Sequence, residues 1–268
     1  MLVLISIFIL LAVVYLFSVR GRKNHSGLKL LQGWSYAHRG LHDASRPENS
    51  IAAFRAALEK GYGVELDVHL LADGNLAVMH DSLLVRTTGA GGRIEDLTTE
   101  QLTQYKLEGT AETIPTFRQV LDLFGGKVPL IVELKTADGN HAALCEETCR
   151  QLADYPGVYC MESFDPFCVH WLKKHRPDII RGQLSDDFLK TKKPKPWIVR
   201  FLATYQLENF LTLPDFTAYR FTKRKNLSNF LIRRVWGVQG VAWTLQTKEE
   251  YEIALKEGWI PIFENFEP

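Results

Sequence analysis

Residues 36–70 read YAHRGLHDASRPENSIAAFRAALEKGYGVELDVHL. Tyr36 and Ala37 look like the end of a short strand. His38, Arg39, His42, Asp43, Arg46 and Glu48 then crowd one loop. Asn49 and Ser50 offer an N-cap, the apolar spacing of 50–60 predicts a helix, and Gly61 sits where a C-terminal glycine ends one. Residues 63–69 alternate polar and apolar, which is a strand pattern. A strand, a short helix and a second strand predict a parallel pair, because the helix returns the chain to the same end of the sheet.

The alternation continues outward. Strands are expected at 35–38, 63–69, 76–80, 128–134, 157–162, 179–184, 216–220, 239–244 and 260–263. Helical patterns fill 50–60, 99–107, 116–124, 140–153, 165–175, 197–211, 227–235 and 247–257. Such regular β–α alternation predicts an α/β fold, a TIM (β/α)8 barrel, over residues 35–268. Nine candidate strands exceed eight places, so at least one of them is no strand or lies outside the barrel. LADGN at 71–75 is a tight turn with no room for a helix, and residues 81–127 form a long excursion that reads as a small insertion.

The apolar share, 46%, is ample for a core, and Lys+Arg 32 against Asp+Glu 31 leaves almost no net charge. That balance argues against a nucleic-acid partner. Cys145, Cys149, Cys160 and Cys168 form no CxxC pair and read as buried thiols of a reducing compartment. Residues 1–19, MLVLISIFILLAVVYLFSV, carry no charge. Arg20, Arg22, Lys23 and Lys29 follow the apolar run, the reverse of a cleaved signal. The expectation is a single transmembrane anchor over 1–19, a juxtamembrane linker over 20–34, and a catalytic domain held at the cell membrane on its cytoplasmic side.

In a strand, residues i and i+2 share a face. Glu65 and Asp67 therefore point one way, and Glu133 and Lys135 do the same in VPLIVELKT. His38 and Arg39 end the first strand, and His80 and Asp81 end the third. Polar groups at the C-terminal ends of parallel barrel strands face the mouth, where active sites form. Carboxylate oxygens suit a hard divalent ion, imidazoles suit proton exchange near neutral pH, and Arg and Lys suit a phosphate-like anion. Together these groups describe metal-assisted cleavage of a phosphodiester.

The motifs His38-Arg39-Gly40, Pro47-Glu48-Asn49-Ser50, Glu65-Leu66-Asp67, His80-Asp81, Arg86-Thr87-Thr88, Ile114-Pro115-Thr116, Glu133-Leu134-Lys135, Ser163-Phe164 and Trp243-Thr244 follow in order. With them the chain resembles the glycerophosphodiester phosphodiesterase family, phospholipase C-like TIM-barrel enzymes, and in particular its bacterial membrane-anchored members. The likeness is strong over 35–184 and weak over 185–268. It implies a barrel with an insertion after the third strand. It implies one divalent cation, Mg2+ or Ca2+, held by Glu65, Asp67 and Glu133. His38 and His80 would be the acid–base pair, Arg39 and Lys135 would bind phosphate, and Glu48 and Trp243 would serve the substrate side. Gln246 replaces the family's usual Asn, and Glu264-Asn265 replaces a Thr-Asp pair. Both departures are expected on the substrate side, away from the metal.

His42 reads as a solvated loop residue. His69 lies inward but one step beyond the mouth. KTKKPKPWIVRFL and RFTKRKNLSNFLIRRVW, within 190–235, mix basic and apolar residues and read either as solvated helix faces or as a membrane-facing apron. The expected activity is hydrolysis of a glycerophosphodiester to an alcohol and glycerol 3-phosphate. Phospholipase D-like action on lysophospholipids and a catalytically inactive sensing module are the alternatives. The alcohol, the metal, the attacking group and the division of acid and base between the histidines stay open.

Overall fold

The computed structural model describes residues 1–23, 25–190 and 196–268. Its strands are β1 (Tyr36–His38), β2 (Gly63–Leu70), β3 (Leu76–Val78), β4 (Leu130–Leu134), β5 (Tyr159–Ser163), β6 (Arg181–Ser185), β7 (Phe216–Arg220), β8 (Gln239–Leu245) and β9 (Trp259–Phe263). β1 pairs in parallel with both β2 and β9, and this double pairing closes the sheet. β4 to β9 continue around in sequence order, so eight parallel strands form a TIM barrel. The superfluous ninth strand is β3. It folds back antiparallel on β2, Val68 opposite Val78, because the turn at 71–75 is too short for a crossover. The excursion therefore follows the second barrel strand rather than the third.

Helices are α1 (Leu2–Ser18), α2 (Leu28–Leu31), α3 (Ile51–Glu59), α4 (Val85–Thr88), α5 (Phe117–Phe124), α6 (His141–Leu152), α7 (Pro166–His175), α8 (Trp197–Thr204), α9 (Asn209–Thr212), α10 (Leu227–Phe230) and α11 (Lys248–Lys256). Ser50 caps α3 through Ala53 N, and Thr116 opens α5 with a capping box to Gln119. The segment 99–107, expected as α-helix, is a 3-10 turn at Thr99–Gln104.

Strand parity sorts the core. Tyr36, Ile131, Cys160, Phe216, Val241, Ile260 and Ile262 fill the barrel interior. Val64, Leu66, Val132, Leu134 and Met161 face outward against the helices. Gly182 is required at its site, since a Cβ there would lie 2.1 Å from the ring of Phe216. The interior is thus apolar in its lower layers, and only the upper ends of the strands are left for charged groups.

The N-terminal segment departs from expectation. α1 has 17 residues, which at 1.5 Å each is about 26 Å. No helix among the described residues is long and apolar enough to cross a membrane, so the transmembrane expectation for 1–19 is not met. The helix stops early because Val19 is drawn into contact with Ile232 and Val238 on the barrel, and Trp236 Nε1 donates to Leu16 O at 2.8 Å. The side chains of Met1 to Val14 stay exposed. Residues 20–34 are no slack linker. Arg22 clamps buried Asp215 with two bonds of 2.5 and 2.6 Å, and Leu31 packs into the barrel floor.

Among the described residues of the basic stretch 190–235, several arginines are committed to the fold. Arg224 binds Glu257 at 2.7 and 2.8 Å, Arg233 donates to Glu257 O and lies over Trp259, and Arg200 donates to Phe188 O and Leu189 O. Lys192, Lys193 and Lys195 lie outside the described residues.

Candidate active site

β1 ends at His38, and the chain then turns sharply. Arg39 and Gly40 both take positive φ, 55° and 83°. A Cβ on Gly40 would meet Ala53 C at 2.9 Å, so glycine lets the loop lie directly on α3. This turn places Arg39 over the mouth. Its backbone N–H donates to Glu65 Oε2 at 3.2 Å, its Nη1 donates to Glu48 Oε1 at 2.9 Å, and its Nε lies 3.6 Å from Asp67 Oδ2.

Glu65 and Asp67 on β2 share the inner face, as their spacing predicts. Asp67 is the direct neighbour of Glu133 on β4 in strand register. Glu65, Asp67 and Glu133 offer oxygens that lie within 4.8 Å of one another, all three buried. Burial, with the charges of Asp67 and Glu133 added, pushes Glu65 well above the usual carboxylate range. Burial likewise lifts Glu133 to about 7. Burial opposes ionisation of Asp67 too, but Lys135, His80 and Arg39 outweigh it and hold Asp67 well below its usual value. Lys135 Nζ stands 2.7 Å from Glu133 Oε1 and 3.0 Å from Asp67 Oδ1. Three convergent buried carboxylates with one lysine are a hard, electron-rich oxygen set that a divalent cation fits.

His80 follows β3, and its Nδ1 meets Asp81 Oδ1 at 2.6 Å. Arg86 binds Asp81 and also both oxygens of Glu48, at 2.6 and 2.9 Å. Glu48 therefore bridges Arg39 and Arg86, a positioning role for the loop and the insertion. Burial lowers His80 to about 4, against the pull of Asp67. His69 lies behind it, with Nδ1 2.8 Å from Glu95 and Nε2 3.2 Å from His80 O.

His38 has a partner that the sequence did not reveal. Its Nδ1 lies 3.1 Å from Glu264 Oε1, just past β9. His42, expected in solvent, shares that oxygen at 3.0 Å, and Gln246 Nε2 donates to Glu264 Oε2 at 2.6 Å. Asn265 in turn donates to Gln246. The two departures from the family pattern thus bond to one another, and one of them holds a candidate catalytic histidine. Burial would raise Glu264, but hydrogen bonds from His38 and His42 hold it far below the usual range. His38 itself is lowered by burial, with Glu264 opposing.

His38, Arg39, Glu65, His80, Glu133 and Trp243 line one cavity of about 320 Å3. Lys135, Asp67 and Glu48 stand in contact behind that wall. Arg220 lies over the Trp243 ring at 4.7 Å, and Phe164 meets the ring edge-on at 5.6 Å. Every site residue expected from the sequence is therefore in or against one cavity. Glu264 and Glu162 were missed. Both follow from parity, since Glu264 continues the inward series Ile260, Ile262, and Glu162 lies between inward Cys160 and Phe164.

Each ring nitrogen Nδ1 is engaged by a carboxylate, which leaves each Nε2 for a ligand in the cavity. Cleaving a phosphorus–oxygen bond gives all of these groups a use, and the class they define is a phosphoric diester hydrolase on a TIM barrel. Comparison with known proteins narrows the class. The model of the Glycerophosphoryl diester phosphodiesterase family matches residues 38–266, and the chain belongs to that family. It is 30% identical over 235 residues to a glycerophosphodiester phosphodiesterase of Caldanaerobacter subterraneus subsp. tengcongensis, covering 83% of this chain and 89% of that one. It is 29% identical to human glycerophosphodiester phosphodiesterase 1, over 87% of this chain and 79% of that one. The fold matches an Oleispira antarctica phosphodiesterase, solved with its product sn-glycerol-3-phosphate, at a TM-score of 0.72 and 23% identity, covering 88% of this chain and 94% of that one.

Proposed function

We propose that this protein hydrolyses glycerophosphodiesters to an alcohol and glycerol 3-phosphate, in glycerol and lipid metabolism, with one divalent cation, Mg2+ or Ca2+. The observation that carries the reading is the pair of carboxylate-held histidines on one cavity with the Glu65, Asp67 and Glu133 trio. Arg39 and Lys135 bind the phosphoryl oxygens, and Trp243 walls the substrate side. One of His38 and His80 takes the proton from the attacking oxygen at Nε2, and the other delivers a proton to the leaving alcohol. Glu264 and Asp81 fix the rings so that Nε2 faces the cavity and stabilise each imidazolium as it forms. A cation at the carboxylate trio, when bound, supplies charge that polarises the phosphoryl group.

The localisation reading keeps the catalytic domain at the cytoplasmic face of the cell membrane. The exposed apolar surface of α1 supports lipid contact, and four free, buried cysteines suit a reducing compartment. The test of function is release of glycerol phosphate from a panel of soluble diesters and micellar lysophospholipids, with and without EDTA. Turnover of soluble diesters that EDTA abolishes and Mg2+ or Ca2+ restores is expected. Full activity in metal-free enzyme, or turnover of lysophospholipids alone, overturns the reading.

A further inference from the structure

Beside the metal trio stands a fourth acid. Glu162 lies on β5 directly opposite Glu133 in strand register, points into the barrel between Cys160 and Phe164, and is 1% exposed. It lines the same cavity as His38, Arg39 and His80. Each acid of the trio has at least one partner: Glu65 takes the Arg39 N–H, Asp67 takes Asn49 and stands by Lys135, and Glu133 stands by Lys135. Glu162 Oε2 has no hydrogen-bond partner among the described residues. Nor does Glu162 belong to the group whose oxygens converge as metal ligands. Folds rarely leave a buried carboxyl oxygen unpaired, and where they do at a cavity wall the missing partner is a ligand group.

We infer that Glu162 recognises the hydroxyl-bearing glycerol half of the substrate, by hydrogen bonds between its carboxyl group and a glycerol hydroxyl. This rests on the phosphodiesterase reading above and adds the residue that reads the glycerol. The chemistry around it selects a neutral polyol. A cationic alcohol placed at this depth would meet Arg39 and Lys135, whereas a phosphate held by Arg39 and Lys135 brings its own glycerol carbons alongside the trio. Exposure separates the two halves of the cavity: Glu162 is buried, whereas Trp243 is part-exposed and Arg220 exposed, so the leaving alcohol is assigned to the Trp243 side.

The experiment uses the full chain loaded with Mg2+ and measures, by titration calorimetry, binding of sn-glycerol 3-phosphate and of propyl phosphate, which keeps the phosphate and three carbons but lacks both hydroxyls. Wild type should prefer glycerol 3-phosphate. In Glu162→Leu that ligand should weaken roughly ten- to a hundredfold while propyl phosphate stays within about twofold, the range expected when one buried hydrogen-bond partner is removed. Glu162→Gln, which keeps an acceptor and donor of the same shape, should recover most of the loss. Equal weakening of both ligands, or of neither, overturns the inference. So does loss of Mg2+ titration in Glu162→Leu, which would make Glu162 a metal ligand. Wild type that turns over no glycerophosphodiester and binds neither phosphate sinks the underlying reading as well, whereas active wild type with an unaffected Glu162→Leu sinks only the role of Glu162.

Discussion

Glu264→Gln isolates the contact between the first and the last strand of the barrel. The substitution keeps the size of the side chain and an oxygen that can accept from His38 Nδ1, now at 3.1 Å, but removes the negative charge. His42 meets the same oxygen at 3.0 Å, so both histidines keep an acceptor and lose the charge. A hydrogen bond to a charged group contributes about 1.5–3 kcal/mol and a neutral one about 0.5–1.5, so about 1–1.5 kcal/mol is lost and kcat should fall about five- to tenfold. The sign of the pH effect is also fixed. Burial already lowers His38, and Glu264 opposes that lowering. Without the charge, the limb of the pH–rate profile that His38 carries should move toward lower pH. The assay is kcat and kcat/KM on a soluble diester across pH 5–9, with Glu264→Asp as a charge-retaining control. A variant with more than half of wild-type kcat, or a limb that moves toward higher pH, refutes the argument that Glu264 holds His38 as a charged partner.

Asp67→Asn should keep the fold, because Asn49 and Lys135 retain a neighbour, yet lose at least about a hundredfold in Mg2+ or Ca2+ affinity by titration calorimetry; unchanged affinity would remove Asp67 from the ligand set. Arg22→Ala should cost about 3–5 kcal/mol in denaturant unfolding, since Asp215 is left buried without this cation, whereas deletion of residues 1–14, whose side chains are exposed, should cost far less. Glu208→Gln probes a half-buried acid, one oxygen of which is shut off from solvent, that burial lifts to about 7 from 4.5. A raised carboxyl binds its proton more tightly when folded, so its contribution is lost as pH rises from 4.5 toward 7. The variant should therefore gain up to about 3 kcal/mol over wild type at pH 8 and little at pH 4.5, read from melting curves; a gain that is the same at both pH values would contradict this.

The sequence by itself determined which way the strand residues face. Side chains alternate with a period of two along a strand, so Glu65 with Asp67 and Glu133 with Lys135 could be assigned to one surface before any fold was known, and the β–α rhythm gave the barrel. It also marked His38, Arg39 and His80, because each follows a strand. What it could not carry were relations that exist only once the sheet closes. Glu264 is 226 residues from His38 and reaches it because β9 pairs with β1, so His42 and Gln246, read as solvent-facing or substrate-side, turned out to serve the same carboxylate. Glu162 acquired meaning only from lying opposite Glu133 across a strand pair. The hydrophobicity of residues 1–19 matched a spanning helix, but the length of α1 was decided by Val19 and Trp236 packing on the barrel flank, and the linker's Arg22 by a buried aspartate far along the chain. Local pattern sets the orientation of a side chain, and only the closed tertiary structure sets what that side chain meets.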